Sequence, residues 1–386
     1  MGLTAQGLAR AGRGVGVGLA AVLLVSCAGL PSLVPDLAQA PVPVQLAGAR
    51  GPLSEAQSQT VLARLASKGE ETGIFERHLA IEDALVDSPM TTGNQVQLLQ
   101  DGPATYQAMF AAIEAARDHI NLETYILDDD AVGQRFAQAL IAKQQQGVQV
   151  NVIRDSVGTV GTPAAFFQQL SDSGIRVLEF NPLNPLATRK EWELNRRDHR
   201  KLLIVDGQTA FMGGINISSV YSGGSFSRRS REPPDGGPAW RDTDLQLSGP
   251  VVAEFQKLFL EAWASQHGEP LPPRNYFPPA EVRGRLLVRA IGSSPDDAFS
   301  LIYATLLSAI ASAETSVYIT NAYFVPDPQL MAALQAAARR GVDVKLILPS
   351  QTDSWLVFHA GRGFYEPLLR AGVQIHERQG AILHAK

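Results

Sequence analysis

A chain of 386 residues, 45% of them hydrophobic, is long enough for two domains of ordinary size, each with its own core. The formal net charge of −5 leaves no global basic field of the kind that non-specific nucleic-acid binding draws on, so no nucleic-acid partner is expected and a nuclease is disfavoured. The single cysteine, Cys27, excludes an internal disulfide and a cysteine-based zinc site.

The chain opens MGLTAQGLARAGRGVGVGLAAVLLVSCAGLPS. Arg10 and Arg13 form a positive lead, and Val15 to Val25 an apolar run that is short for a membrane span and typical of a secretory signal. "LVSC", with Leu24, Val25 and Ser26 before Cys27, resembles a bacterial lipobox. That resemblance implies a signal peptide over 1–26, lipidation of Cys27, and a lipoprotein anchored in the cell envelope. Ala28 in place of Asp favours, by analogy, the outer membrane of a Gram-negative cell. Acyl chains on Cys27 hold the protein through buried methylenes. The competing reading is an ordinary signal peptide or an uncleaved anchor.

Residues 27–92 read as a tether and a helical lead-in. Pro31, Pro35, Pro41 and Pro43 mark an extended segment to about residue 50. Val61, Leu62 and Leu65, then Phe75, Leu79 and Leu85, have helical spacing over 54–86. From Gly93 a strand (QVQLL), a turn at Asp101-Gly102-Pro103 and a helix over 104–117 are expected. A strand at 120–127, a helix at 131–146 closed by Gly147, the strand VQVNVIR, a helix at 163–173 and a strand at 175–180 follow. Strands alternating with helices predict an α/β fold with a buried sheet.

The same order returns after residue 290. SVYITNAYFVPD (316–327) mirrors HINLETYILDDD (119–130), and AAARRGVDVKLIL (336–348) mirrors IAKQQQGVQVNVI (141–153). FYEPLLRAGVQIHE (364–377) mirrors FFQQLSDSGIRVLE (166–179), and LHAK mirrors DHRK. One unit is duplicated, with a first half over 93–285, a second over 286–386, and one His-x-Lys pair in each.

In HRKLLIVDGQTAFMGGIN, His199 and Lys201 share a face if the segment is a strand, while Arg200 points the other way. Asp206-Gly207 is a hairpin signal, and Gly213-Gly214 permits a close backbone approach before Asn216. Alone, a His-x-Lys reads more readily as a solvated strand edge. Repeated in both halves of a duplicated fold, His199/Lys201 and His384/Lys386 can face each other across a pseudo-two-fold axis. Two imidazoles and two ammonium groups suit a phosphodiester. One imidazole attacks phosphorus, the other protonates the leaving alcohol, and lysine and asparagine neutralise the oxygens, with no metal or other cofactor required. His78, His119, His267, His359 and His376 lack ligand spacing.

His199, Lys201, Asp206, Gly213, Gly214 and Asn216 together resemble the full motif of the phospholipase D superfamily. LETYIL, HRKLLIVDG, GGINIS, WRDTDLQLSGP, ITNAYFVPD, RRGVDVKLILP and LHAK are similar to bacterial cardiolipin synthases, of the type without two N-terminal membrane-spanning helices. The resemblance covers about residues 93–386. It implies a duplicated α/β/α sandwich of two pseudo-symmetric halves. It further implies phosphatidyl transfer through a phosphohistidine, with His199 as nucleophile and His384 as acid/base. Phosphatidylglycerol, and phosphatidylethanolamine as another donor, are the implied lipid partners. The resemblance assigns Asp242 to orient His384, gives Gly213 and Gly214 to substrate binding, and leaves Asp206 between a structural and a catalytic role. Arg228, Arg229 and Arg231 lie in a longer loop, suited to anionic headgroups or simply solvated. A hydrolytic phospholipase D and a catalytically incomplete lipid-binding lipoprotein remain open beside transfer. The chain stops inside the second motif, before any counterpart of Asp206, Asn216 or Asp242. The second half is therefore expected to be incomplete, the chain a fragment or a truncation, and its activity alone low.

Overall fold

A computed structural model describes residues 44–66, 87–183, 197–223, 240–293 and 300–385. The leader with Cys27, Arg228, Arg229, Arg231 and Lys386 fall outside them. So does the latter part of the expected lead-in helix, with Phe75, Leu79 and Leu85.

The tether expected to about residue 50 ends earlier. Leu46–Gly48 (β1) pairs antiparallel with Gly51–Pro52 (β2) and parallel with Met90–Leu99 (β3). Val44, Leu46 and Met90 are buried together, so a few apolar side chains outweigh the composition of the segment. Glu55–Ala66 (α1) follows. Asp101-Gly102-Pro103, expected as a turn, starts a helix instead, Gly102–Ala115 (α2). The Asp101 carboxylate accepts from the Ala104 N–H at 3.0 Å, and Pro103 sits in the first turn, where no N–H is needed.

His119–Thr124 (β4), Ala131–Gln145 (α3), Gln149–Asp155 (β5), Ala164–Asp172 (α4) and Arg176–Phe180 (β6) give a parallel β4-β5-β6 unit. Leu202–Val205 (β7) lies antiparallel to β4 and turns into Thr209–Gly213 (β8). Asp206 and Gly207 have φ of 53° and 62°, the left-handed pair that a tight hairpin turn demands. Trp240–Arg241 (β9) precedes Asp244–Ser248 (β10), which joins β8 to β3, and then Val252–Ser265 (α5). Leu286–Val288 (β11) still pairs with β3, so the first sheet extends past the boundary expected at 285. The sheet runs β2-β1-β3-β10-β8-β7-β4-β5-β6.

Its two faces bury separate cores. Ile120, Leu122, Val150, Val152 and Leu203 pack under Tyr106, Met109 and Ile113 of α2 and Phe136 and Leu140 of α3. Ile153, Leu202 and Ile204 pack on the other face against Phe255, Phe259 and Trp263 of α5. Strands covered on both faces read as continuous apolar runs, which is why LLIV lacks alternation.

In the second half, Leu301–Ser312 (α6), Ser316–Thr320 (β12), Pro328–Arg339 (α7), Asp343–Pro349 (β13), Trp355–Arg362 (α8), Tyr365–Ala371 (α9) and Gln374–Arg378 (β14) repeat the parallel order as β12-β13-β14. Leu334, Ala337 and Leu368 bury one face with Val344, Leu346 and Leu348. On the opposite face Tyr318 and Ile347 are 64% and 40% exposed. Ile382–Leu383 (β15) leaves this half and pairs parallel with β9, Ile382 opposite Trp240 and Leu383 opposite Arg241.

Candidate active site

The hairpin opens at the end away from Asp206. Residues 197–201, whose His199 and Lys201 would share a face on a strand, are irregular chain leading into β7. His199 is exposed, and its ring lies on Tyr125 with centroids 4.6 Å apart. Lys201 is buried; its ammonium donates to the His199 carbonyl at 2.6 Å and lies 5.1 Å from the Tyr125 ring centroid.

At the other strand of the hairpin, the glycine pair serves backbone approach. A Cβ on Gly213 would overlap the Asp244 carboxylate, and one on Gly214 the Asp242 carboxylate. Gly213 and Gly214, expected to bind substrate, therefore make room for two buried aspartates. Asp244 accepts from the Ile215 N–H at 3.1 Å, and burial pushes its carboxyl up to about 8. Asn216 accepts from the Ile126 N–H at 3.1 Å and donates from its amide to the Tyr221 hydroxyl at 3.0 Å.

The second histidine arrives on β15. The His384 N–H donates to the Arg241 carbonyl at 2.8 Å, and Ala322 donates to the Ala385 carbonyl at 2.7 Å. Its Nδ1 lies 3.0 Å from Asp242 Oδ2 and 3.0 Å from the Tyr221 hydroxyl. Nδ1 carries one hydrogen or one lone pair, so with Nδ1–H donating to the carboxylate, Nε2 is left as the reactive nitrogen. Trp240 and Tyr323 pack on the ring at centroid distances of 4.7 and 5.7 Å. The Tyr323 hydroxyl donates to Asp353 at 2.9 Å. Burial raises that hydroxyl first, the Asp353 contact next, and Asp242 and Tyr125 add to it, so Tyr323 lies within electrostatic reach of both.

The opposite side of the His199 segment rests on charge. Arg200 Nε is 3.1 Å from Glu123 and 3.2 Å from Asp198. Both carboxylates are buried, and the Asp198 N–H donates to Asp155 at 3.0 Å. Burial, then the charge of Asp198, pushes Glu123 well above the usual carboxylate range. Asp198, although burial opposes it, is held low by the hydrogen bond from Glu123 and by Arg200. Glu123 is thus the more basic carboxyl of the pair.

Asp206 is not brought to this site. It caps the far end of the hairpin, where its carboxylate accepts from the N–H groups of Arg117, Asp118 and His119 at 2.8, 2.8 and 3.0 Å. His199, Lys201, Asn216, Asp242 and His384 are gathered at the open end. Tyr125, Tyr221, Tyr323, Asp198 and Asp353 were missed by sequence reasoning. For Tyr125 and Tyr323 a signal existed, because each follows the first parallel strand of its half.

A family model described as "Cardiolipin synthase, PLD-like domain" matches residues 109–222 and 306–386. The chain belongs to this family, one of phospholipase-D-like domains. It is 40% identical over 302 residues to "Cardiolipin synthase A" of Pseudomonas putida, covering 77% of this chain and 59% of that one. It is 34% identical over 305 residues to "Cardiolipin synthase" of Halalkalibacterium halodurans, covering 78% and 58%. The chain thus spans about three fifths of the length of the curated relatives it matches. The crystal structure of phosphatidylserine synthase from Haemophilus influenzae superposes with a TM-score of 0.53 at 16% identity, covering 80% of this chain and 79% of that one, a likeness of fold.

Proposed function

We propose that the protein transfers a phosphatidyl group between phospholipids through a phosphohistidine. The observation that carries this reading is the pairing of the two halves at one place. Each half supplies a histidine seated on a tyrosine, and Asp242 of the first half touches His384 of the second. In the first step, His199 Nε2 attacks the phosphorus of phosphatidylglycerol. The bond to the headgroup oxygen breaks, and the leaving glycerol takes the proton of His384 Nε2. In the second step, His384 takes the proton from the headgroup hydroxyl of another phosphatidylglycerol. That oxygen attacks phosphorus, and the P–N bond breaks. Two phosphatidylglycerols give one cardiolipin and one glycerol. Asp242 stabilises the imidazolium, and Lys201 supplies positive charge beside the phosphoryl oxygens. We place Lys386 in the same role by the repeat. Phosphatidylethanolamine offers an equivalent phosphodiester as donor. The likeness to cardiolipin synthases over most of the chain supports transfer rather than hydrolysis.

Radiolabelled phosphatidylglycerol given to the intact gene product, followed by thin-layer chromatography, tests this. Cardiolipin with released glycerol is the expected pair. Phosphatidic acid in its place would mean that water is the acceptor, and absence of both products overturns the reading.

Anchoring through an acylated Cys27, in the outer membrane of a Gram-negative cell, completes the proposal on the strength of the lipobox-like LVSC. Metabolic labelling with a fatty-acid probe should tag the protein and fail on Cys27→Ser; equal labelling of both rejects the anchor.

A further inference from the structure

Four large apolar side chains are exposed near the site, two in loops and two in the first turn of α8. Val160 is 71% exposed, Val325 48%, Trp355 71% and Leu356 72%. Scattered exposed hydrophobics are ordinary on a protein surface. These four are not scattered: they follow the C-terminal ends of the parallel strands β5, β12 and β13, and Val160 and Trp355 stand in equivalent places of the two halves.

The tyrosines that seat the histidines also touch these loops. In the first half a Cβ on Gly158 would overlap the Tyr125 carbonyl, so the loop after β5 lies directly on the residue under His199. Val160 follows two residues later. In the second half Asp353, in the loop after β13, accepts from the Tyr323 hydroxyl, and Tyr323 packs on His384. Trp355 follows two residues later and begins α8, whose Gly361 lies against the Phe324 carbonyl beside Val325. Each half therefore presents an apolar tip on a loop or helix start that touches its own tyrosine, or the residue next to it.

We propose that Val160, Val325, Trp355 and Leu356 form a rim that seats the two-histidine site on the surface of a phospholipid bilayer. This rests on the phosphatidyl-transfer reading. A second copy or a protein partner covering both tips would close off the histidines between them. A bilayer covering the same tips delivers the phosphodiester to those histidines. The side chains fit the depth they would occupy: an indole favours the headgroup level, and leucine and valine the layer just beneath it.

The chain has four tryptophans, Trp192, Trp240, Trp263 and Trp355, so emission can be assigned by difference. The experiment uses phosphatidylglycerol–phosphatidylcholine vesicles with and without bromine on the acyl chains. Bromolipid should quench part of the emission of the full chain, and Trp355→Phe should remove that part. Val160→Trp on the Trp355→Phe background should restore it. Trp355→Ser with Leu356→Ser should weaken vesicle partitioning of the rim by about tenfold. Vesicle-bound protein whose Trp355 emission is indifferent to bromine, or no vesicle association at all, overturns the proposal. Thin-layer chromatography of the same samples keeps the two readings apart. Cardiolipin without Trp355 quenching sinks the rim and leaves transfer standing, and quenching without any lipid product does the reverse.

Discussion

His199→Ala is expected to abolish turnover and phosphohistidine formation together, because loss of a covalent nucleophile removes the two-step route itself. Acid-labile labelling from radiolabelled donor reads this directly; activity within a few-fold of wild type rejects the assignment. Asp242→Asn should cost less, since Asp242 touches the imidazole and makes no bond to phosphorus. Asp244 gives a different signal. Its folded value of about 8 lies above the ordinary 3.8. The folded protein therefore holds a proton that the unfolded chain has already lost. The stability this contributes is fully present at the acid end, declines as pH rises through the window, and is gone above the folded value. Urea unfolding at a series of pH values should show Asp244→Asn flattening the decline between about pH 5 and 8, by up to about 1.4 kcal/mol per pH unit. Parallel slopes for the two proteins would contradict it. His199, Lys201, Asn216, Asp242 and His384 were legible as residues because their spacing within each motif is covalent. Tyr221 was not, since 163 residues separate it from His384 and only the folded chain brings them together.

At the scale of elements, the hairpin divides stability from chemistry between its two ends. Asp206→Ala removes a carboxylate that accepts from three N–H groups, and should destabilise the protein by about 2–4 kcal/mol while leaving activity per folded molecule nearly unchanged. A large loss of kcat without loss of stability would return Asp206 to the chemistry. Gly214→Ala should do the opposite kind of damage. Its methyl meets the Asp242 carboxylate, so both Tm and the Asp242–His384 contact should suffer, with about 2 kcal/mol lost. Circular dichroism melts beside lipid turnover distinguish the two. The alternation of strands and helices was readable from periodicity, and the Asp206-Gly207 turn from its residues. The start of α2 was not, because Asp-Gly-Pro serves a turn and a helix cap equally well until the residues beyond it pack. The segment before β7 was expected to put His199 and Lys201 on one face if it were a strand. It belongs to no strand, and Arg200 turns to Glu123 and Asp198.

Across the whole molecule, the two halves meet through a two-residue strand pair, β9 with β15, and through the contact between Asp242 and His384. Asp242→Ala and His384→Ala should therefore be non-additive, with a coupling of about 1–2 kcal/mol in a double-mutant cycle read by urea unfolding. Additive losses would mean that the contact orients without stabilising. The internal repeat made the duplication legible. It could not show that β1 and β11 both join the first sheet at β3, because neither strand has a partner in the repeated pattern.

The pairing of Asp242 with a histidine 142 residues further along also sets an order in time. A ribosome adding about 5–20 residues per second makes the His199 segment and Asp242 on the order of ten seconds before His384 emerges. Throughout that interval the nascent chain carries His199, the nucleophile of the proposed mechanism, without the proposed acid/base His384. That histidine reaches Asp242 only when Ile382 and Leu383 find Trp240 and Arg241. Because side chains alternate along a strand, a slip of one residue there would turn His384 away. On the proposed reading the site is thus incomplete during synthesis, and its completion is the closing of a two-residue clasp.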